Sequence, residues 1–263
     1  MNKKFTELAK KSKVIVIKVG SNILVNEKHV LRKKWLTSLI EDVQKLQKKG
    51  SKIIIVSSGA IALGRNILSK KKLTNLHEKQ AAASIGQIQL SQQWQKAFAK
   101  FNIQSSQILI TAEDLNERRK YLNIRNTIYS LLDLNVVPII NENDTTSTEE
   151  IRFGDNDKLS AMIANALSAE LLILLSDVNG LYTANPKKST DAKLITSVEE
   201  VDQEIEKYID KDLSEFGSGG MLAKVNAAKL CIQSGSTMII SNGLVNNPPV
   251  SYTHLTLPTT EYV

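Results

Sequence analysis

The chain has 263 residues, of which 42% are hydrophobic and 23% charged, a composition ordinary for a globular protein of one large or two small domains. Its single cysteine, Cys231, excludes an internal disulfide framework and predicts a reducing, cytoplasmic setting. No apolar run reaches the ~18 residues that a membrane span needs, so no membrane partner is expected.

The formal net charge of +7 admits two kinds of partner, nucleic acids and anionic small molecules. The lysines occur in short scattered runs, such as Lys70–Lys72 and Lys187–Lys188, and no aromatic residues alternate with them to stack on bases. A solvated lysine-rich surface is therefore favoured over a nucleic-acid-binding face, and no nucleic-acid partner is expected.

Several short apolar runs are continuous rather than alternating in polarity. Such runs are typical of parallel strands that are covered on both faces. The predicted strands are Val14–Val19, Ile53–Val56, Ile108–Ile110, Val136–Ile140, Leu171–Leu175 and Met238–Ile240.

Segments with helical periodicity lie between these strands. In Leu31–Lys49 the apolar residues recur every three or four positions, and Gly50 follows as a C-cap residue. Strands that alternate with helices predict an α/β sandwich with a mainly parallel central sheet, assigned to residues 1–245 as one domain. The other predicted helices are Leu76–Lys100, Asp114–Asn135, Lys158–Ala169 and Met221–Ser234.

Two segments have no helical pattern. Thr145–Phe153 is polar and partly alternating, which is consistent with a small hairpin beside a site. The tail Asn246–Val263 is rich in threonine and proline and has no useful period, so it is predicted to be disordered or not native to this protein.

The first candidate for chemistry is Lys18-Val19-Gly20-Ser21-Asn22, at the end of the first predicted strand. A lysine in a buried strand is costly unless an anion meets it, and the backbone N–H groups around Gly20 can cradle phosphate. On this motif alone, a lysine whose ammonium group reaches solvent at a strand end is an equally good interpretation.

Ser57-Ser58-Gly59 forms the second candidate, placed after a strand and before a helical stretch. Open parallel sheets bind ligands at the carboxyl ends of their strands, and helix N-termini attract anions. The alternative is an ordinary N-cap serine. The segment is not a Walker A loop, because no Gly-Lys-Ser/Thr follows at the required spacing.

Two polar clusters, Asn141–Asp144 and Gly154–Asp157, flank the predicted hairpin. Their carboxylates and amides can hold the ammonium group of a substrate or orient nearby lysines. Asp155 or Asp157 can instead cap the helix that starts there. A site is favoured, because so many polar residues lie beside an apolar strand and helix.

A glycine-rich loop, Gly217–Gly220, opens the last predicted helix and places Lys224 one turn inside it. This arrangement is a second phosphate cradle with a point charge behind it. The alternative is a flexible loop with a solvated lysine. Ser176 and Asp177 follow another strand, where a plain turn is the alternative to a ligand contact.

Histidine chemistry is not predicted. The three histidines, His29, His77 and His254, lie away from every glycine loop, and no Cys/His cluster has metal-ligand spacing. Phosphorylation of a carboxylate fits this constraint, because a carboxylate is already ionised and needs no base. The protein then needs only to align the groups and neutralise the moving phosphoryl charge.

In their order along the chain, these motifs resemble those of the bacterial glutamate 5-kinases, within the amino-acid kinase family. The likeness covers roughly residues 14–243, and its most specific part is the pair Asn-Glu-Asn-Asp and Gly-Asp-Asn-Asp. The motifs are Lys18–Ser21, Val56–Ile61, Ile139–Asp144, Phe153–Asp157, Gly180–Thr183 and Gly219–Met221.

The resemblance implies the three-layer αβα sandwich of the amino-acid kinase fold. It also implies phosphorylation of the side-chain carboxylate of L-glutamate by ATP with Mg²⁺, giving L-glutamyl 5-phosphate on the route to proline. Proline is the expected feedback inhibitor, a homo-oligomer the expected assembly, and a glutamyl-phosphate reductase a candidate partner. Many family members carry a C-terminal RNA-binding-like (PUA) domain, and this sequence ends too soon to hold one.

Carried over by motif, Lys18 and Lys224 would stabilise the phosphoryl group in flight, and Asp157 would position both lysines. Leu222 and Ala223 stand where the family often has small or hydroxylated residues, so the nucleotide contact expected at Ala223 is through its backbone. No metal-binding cluster of side chains is expected, since Mg²⁺ would arrive with ATP. The implied substrate-binding residues are Ser58, Gly59, Asp144, Asp155 and Asn156. The implied ATP-binding residues are Lys18, Gly20, Ser176, Asp177, Ser218, Gly219, Gly220, Met221, Leu222, Ala223 and Lys224.

Two alternative functions stay open from the sequence. One is another kinase of the same fold, acting on N-acetylglutamate, aspartate, carbamate or a nucleotide. The other is a non-catalytic amino-acid sensor or a nucleic-acid-binding regulator. The clusters Asn141–Asp144 and Asp155–Asp157 favour glutamate, and the presence of both Lys18 and Lys224 favours an enzyme, because a sensor needs neither lysine.

Overall fold

A computed structural model describes residues 8, 11–69, 72–147, 156–184, 189–198, 200–203, 205 and 220–248. The strands in these ranges are β1 (Val14–Val19), β2 (Lys52–Ser57), β3 (Ser105–Ile110), β4 (Val137–Glu142), β5 (Leu171–Ser176), β6 (Leu181–Tyr182), β7 (Leu194–Ile195) and β8 (Thr237–Asn242). The helices are α1 (Ser21–Leu24), α2 (Lys33–Gln47), α3 (Ala60–Ile67), α4 (Leu76–Ala99), α5 (Ala112–Asn116), α6 (Arg118–Asp133), α7 (Asn156–Ala166) and α8 (Gly220–Gln233).

The central sheet has six strands in the order β3-β4-β2-β1-β5-β8, and every pairing in it is parallel. Each of the six continuous apolar runs forms one of these strands, as predicted. The short strands β6 and β7 form a separate antiparallel pair. Among the helices that the structure describes, none is both long and apolar enough to cross a bilayer.

Side chains alternate across the sheet and divide the core into two parts. From β1, Ile15 and Ile17 pack in one core with Trp35 and Trp94, which belong to α2 and α4. Val16 packs in the opposite core with residues of α6, α7 and α8, among them Ile128, Ile163 and Ala227. Helices therefore cover both faces, which confirms the predicted three-layer αβα sandwich.

The predicted helix Asp114–Asn135 is wrong in its bounds, because two helices occupy this stretch. The Thr111 hydroxyl accepts a hydrogen bond from the backbone N–H of Asp114, and the Asp114 side chain accepts from Thr111 N, so a capping box starts α5 at Ala112. Glu117 then has an extended backbone (φ −85°, ψ 115°) that separates α5 from α6. The predicted helix Leu31–Lys49 is the shorter α2, whose C-cap residue is Lys48 rather than Gly50. Gly50 follows the cap with φ +92°, a left-handed conformation that suits glycine just past a helix end.

Two predicted segments lie largely outside the described residues. Of the predicted hairpin Thr145–Phe153, the structure describes only residues 145–147, where the N–H groups of Thr146 and Ser147 both donate to Asn143 O. The predicted tail is described as far as Pro248. Within it, Asn247 Nδ2 donates to Asp42 Oδ1 of α2 at 2.9 Å. The assignment of residues 246–263 to a tail stays a prediction.

Helices α3 and α4 cross at unusually short range because each has a glycine at the crossing. A Cβ atom on Gly64 would lie 1.8 Å from Ala82 O, and one on Gly86 would lie 1.8 Å from Ala60 O. No side chain fits at either position. This contact fixes α4 against the first turn of α3, directly after the Ser57-Ser58-Gly59 segment.

We expect the substitution Gly86→Ala to destabilise the fold by about 3 kcal/mol or more, because its methyl group would overlap Ala60 O and force the two helices apart. Urea unfolding followed by circular dichroism measures this change. The matched control is Ser84→Ala, an exposed position on the same helix, which should change the free energy of unfolding by less than about 0.5 kcal/mol. Equal stability of the two variants would contradict the close crossing.

Candidate active site

The candidate site lies at the carboxyl ends of β1, β2, β4 and β5. Lys18 is the fifth residue of β1 and, by the alternation of the strand, points to the same face as Val16. That face is covered by α7 and α8. Lys18 is only 7% exposed, so its ammonium group needs a partner inside the protein.

Asp157, the second residue of α7, provides that partner and binds a second lysine as well. Lys18 Nζ lies 2.5 Å from Asp157 Oδ1, and Lys224 Nζ, from α8, lies 3.2 Å from Asp157 Oδ2. Each carboxylate oxygen therefore faces one ammonium group. The cluster Lys18–Asp157–Lys224 carries a net charge of +1 at the carboxyl edge of the sheet.

The electrostatics of this cluster depend on both lysines. Burial alone would raise the pKa of the Asp157 carboxyl, but the two neighbouring ammonium groups outweigh it and hold that pKa below its usual value. Asp157 therefore stays ionised at neutral pH. The solvated alternatives are excluded for both lysines, because Lys18 is buried and the Lys224 side chain is only 12% exposed.

Ser58 and Gly59 lie at the start of α3. Ser58 is 3% exposed, and its Oγ has no hydrogen-bond partner among the described residues. A buried hydroxyl without a partner costs about 1–3 kcal/mol, which a bound ligand would recover. Gly59 is the N-cap residue of α3, with φ +109°, so the free N–H groups of the first turn follow directly and favour an anion.

Asp144 follows β4 and lines a cavity of about 250 Å³ together with Ser84, Gln87 and Thr145. Burial raises the pKa of the Asp144 carboxyl to about 6. The carboxylate is therefore ionised at pH 7 in a place that disfavours its charge. An ammonium group bound in this cavity would relieve that cost.

Asn156, the first residue of α7, is buried. Its side chain bonds to residues of β2 and β4 and not to the lysines that Asp157 holds. Its Nδ2 group donates to Ser57 O at 2.5 Å and to Asn141 Oδ1 at 2.8 Å. Asn141 Nδ2 in turn donates to Gln87 Oε1 of α4 at 2.8 Å. Trp94 Nε1, also from α4, donates to Ser57 Oγ at 2.9 Å.

The predicted ATP-binding residues are described only in part. Ser176 is buried at the end of β5, and its carbonyl accepts a hydrogen bond from Gly243 N at 2.7 Å, while Asp177 is exposed. A Cβ atom on Gly20 would lie 3.8 Å from Lys18 Nζ and 3.3 Å from Leu175 O, so the Gly20 backbone lies close beside the Lys18 ammonium group.

In α8, which begins at Gly220, Met221 and Leu222 are partly buried against the core on the α7 and α8 face, and Ala223 is buried. Lys224 is the residue of this turn that reaches Asp157. Asp155, Ser218 and Gly219 lie outside the described residues. The roles assigned to all these residues stay predictions.

Gln87 and Trp94 were not predicted from the sequence, and Asn141 was predicted only as a member of the polar cluster Asn141–Asp144. The signal for Asn141 was present, because it ends the same strand that leads into Asp144. Gln87 gave no such signal, since it lies in a helix far from every glycine motif and reaches the site only through the crossing at Gly86. Among the described residues, no group of three or more His, Cys, Asp or Glu side chains could hold a metal ion.

The chain is thus a parallel αβα sandwich with two lysines held by one aspartate at the carboxyl edge of its sheet. Residues 13–242 match the model of the Amino acid kinase family. The chain therefore belongs to the amino acid kinase family.

Relatives within this family are similar over nearly the whole chain. A protein of Pelagibacter ubique named glutamate 5-kinase is 51% identical over 240 residues, which are 91% of this chain and 65% of that protein. One of Agrobacterium fabrum with the same name is 47% identical over 235 residues, or 89% of this chain and 60% of that protein. The chain thus spans just under two thirds of the length of these curated relatives. The resemblance found in the motifs is confirmed.

Solved structures confirm the fold. A carbamate kinase from Giardia lamblia bound to AMP-PNP superimposes with a TM-score of 0.65 at 19% identity, over 95% of this chain and 99% of that one. UMP kinase from Ureaplasma parvum gives a TM-score of 0.65 at 16% identity, over 94% of this chain and 99% of that one. Identities this low support the shared architecture alone.

The raised pKa of Asp144 gives a stability prediction. Between its ordinary value of 3.8 and about 6, the folded state binds more protons than the unfolded state, so the Asp144 contribution to stability is lost as pH rises through about 6. Asp144→Asn removes this titration. The variant should be more stable than the parent by about 1–3 kcal/mol at pH 8, and the difference should vanish near pH 4.

Urea unfolding at intervals from pH 4 to pH 8 measures this difference. Asp133→Asn, which removes a carboxylate whose side chain is 70% exposed, controls for the loss of one surface charge and should change the free energy of unfolding by at most about 1 kcal/mol. A stability difference for Asp144→Asn that shrinks as the pH rises would contradict the burial of this carboxylate.

Proposed function

We propose that this protein transfers the γ-phosphoryl group of ATP to the side-chain carboxylate of L-glutamate. The product would be L-glutamyl 5-phosphate, and the reaction would be the first step of proline biosynthesis. The observation that carries the proposal is the Lys18–Asp157–Lys224 cluster, with two ammonium groups on one buried carboxylate. The choice of glutamate is supported by relatives of that name at 51% and 47% identity.

The cluster suits phosphoryl transfer because it supplies positive charge without supplying a base. Asp157 neutralises one of the two lysines, which leaves one positive charge for the equatorial oxygens of the phosphoryl group in flight. The attacking carboxylate of glutamate is already ionised at neutral pH and gives up no proton. Positioning and charge neutralisation by Lys18 and Lys224 therefore account for the chemical step.

The amino acid would bind between the start of α3 and the end of β4. Ser58 Oγ and the first-turn N–H groups after Gly59 are donors and suit an anionic group. Asp144 and Asn156 offer acceptor oxygens and suit the ammonium group, and Asp155 is proposed to line the same pocket. Bound ammonium would lower the pKa of Asp144 again, because it places a positive charge beside the carboxylate.

ATP would lie along the carboxyl ends of β1 and β5, on Gly20, Ser176, Asp177 and the loop from Ser218 to Lys224. Mg²⁺ would reach the site on the phosphate oxygens, where it would neutralise their charge and help to align them.

The proposal extends to regulation and assembly as the resemblance implies them: feedback inhibition by proline, a homo-oligomer, delivery of the product to a glutamyl-phosphate reductase, and a cytoplasmic location. Purified protein with and without proline in the kinase assay, and its mass by light scattering, would test the first two.

The direct test is ADP release with ATP, Mg²⁺ and L-glutamate, with hydroxylamine present to trap an acyl phosphate. We expect a glutamate-dependent hydroxamate. N-acetylglutamate, aspartate, carbamate and UMP form the comparison panel. Turnover with another member of the panel and none with glutamate would refute the substrate while keeping the kinase; silence with every substrate would refute the kinase.

Lys224→Ala should lower kcat about 100-fold or more and change the KM for glutamate little, because the lysine acts mainly in the transition state. Steady-state kinetics with each substrate varied in turn provide the measurement. The matched control is Lys158→Ala, which removes the same charge from an exposed position next to Asp157 and should leave kcat unchanged. A Lys224→Ala variant that raised only the KM for glutamate would assign this lysine to substrate binding instead.

A further inference from the structure

A chain of side-chain hydrogen bonds joins the candidate substrate pocket to α4. Asn156 Nδ2 donates to Asn141 Oδ1, and Asn141 Nδ2 donates to Gln87 Oε1, each at 2.8 Å. Gln87 Nε2 then donates to Ser91 Oγ at 3.3 Å, and the Ser91 hydroxyl is within hydrogen-bond distance of Gln107 Oε1 on β3. Asn156 and Asn141 are both buried at 4% exposure, so the hydrogen bond between them is shielded from water, while the bond between Ser91 and Gln107 is exposed.

The backbone fixes the donor–acceptor order of these hydrogen bonds at their Ser57 end. Ser57 O is a carbonyl and can only accept, so the atom of Asn156 that faces it must be the amide nitrogen. The second hydrogen of that nitrogen is then the donor to Asn141, which must present its oxygen. Asn141 therefore turns its own nitrogen to Gln87, which must present Oε1.

This donor–acceptor order determines which amide atom of Asn156 is available to a ligand. Both hydrogens of Asn156 Nδ2 are used on Ser57 and Asn141, while Asn156 Oδ1 accepts none of the hydrogen bonds formed among the described residues. An amide fixed in this way presents an acceptor and not a donor. It selects a ligand group that donates, such as an ammonium group, and disfavours one that only accepts.

We infer that Gln87 is a positioning residue for the amino group of the substrate, an inference that rests on the proposed function. Gln87 acts through Asn141: by accepting from Asn141 Nδ2, it holds the Asn141 amide in the orientation that lets Asn141 Oδ1 accept from Asn156. Without that acceptor, the Asn141 amide is free to reverse and present its nitrogen to the nitrogen of Asn156, so that two donors face each other.

The position of Gln87 is itself well determined. Its neighbour Gly86 lies in the close crossing with α3, where a Cβ atom would lie 1.8 Å from Ala60 O. Two turns further along α4, Trp94 is fully buried and donates to Ser57 Oγ, the residue whose carbonyl starts the chain of bonds. The helix and the strand end are therefore held together on both sides of Gln87.

The test compares two substitutions of the same residue. Gln87→Met keeps the length of the side chain and removes the acceptor, and it should raise the KM for glutamate about five- to ten-fold while the KM for ATP stays within about two-fold. Gln87→Glu restores an acceptor oxygen for Asn141 and should recover most of the affinity for glutamate that Gln87→Met loses. Gln92→Met, at an exposed position of the same helix, controls for the methionine itself.

A second readout does not depend on turnover. In ¹⁵N-labelled protein, the side-chain amide hydrogens of Asn156 should exchange slowly with solvent in the parent and in Gln87→Glu, and at least ten-fold faster in Gln87→Met. Unchanged exchange in Gln87→Met, or an equal rise of both KM values in both variants, would overturn the role of Gln87. Failure of the proposed function is a separate result, since it shows as absent glutamate turnover in the parent whatever the exchange rates are.

Discussion

The cluster Lys18–Asp157–Lys224 is the interaction on which the arrangement of the site depends. Lys18 lies inside a strand whose neighbours are apolar and buried, and an ammonium group there is tolerated only with a counter-charge. Asp157 supplies it from α7 and binds Lys224 of α8 with its other oxygen. One carboxylate thus ties a central strand to two helices, and it leaves a positive charge where a sheet of this type binds its ligand.

The two-residue period of the strands decides which groups meet on each side of this edge. Lys18 follows Val16 onto the face of α7 and α8, whereas Ser57 and Asn141 follow Ile55 and Ile139 onto the face of α4. Cationic groups therefore collect on one face and amide groups on the other. The start of α7 contacts both groups, because Asn156 bonds to the amide of Asn141 and the adjacent Asp157 bonds to the lysines.

The sequence predicted the parts of this architecture that depend on local pattern. Continuous apolar runs such as Leu171–Leu175 identified every strand of the main sheet. The glycine-bearing end of the first strand located Lys18, and the glycine-rich loop before the last helix located Lys224. Helix boundaries were harder to predict. The Thr111–Asp114 capping box and the extended Glu117 divide a stretch whose apolar period is continuous into two helices. Gln87 could not be predicted, because its contact with Asn141 depends on how closely two helices cross and on no pattern within its own helix.

The crossing of α3 and α4 at Gly64 and Gly86 connects helix packing to the hydrogen bonds of the site. A larger residue at either glycine would move α4 away from Ala60. Gln87 would move with α4 and away from the side-chain amide of Asn141. A hydrogen bond of 2.8 Å tolerates a displacement of only a few tenths of an ångström. The packing of the two glycines is therefore a condition for the hydrogen bond between Asn141 and Gln87, and through it for the orientation of the Asn156 amide in the proposed substrate pocket.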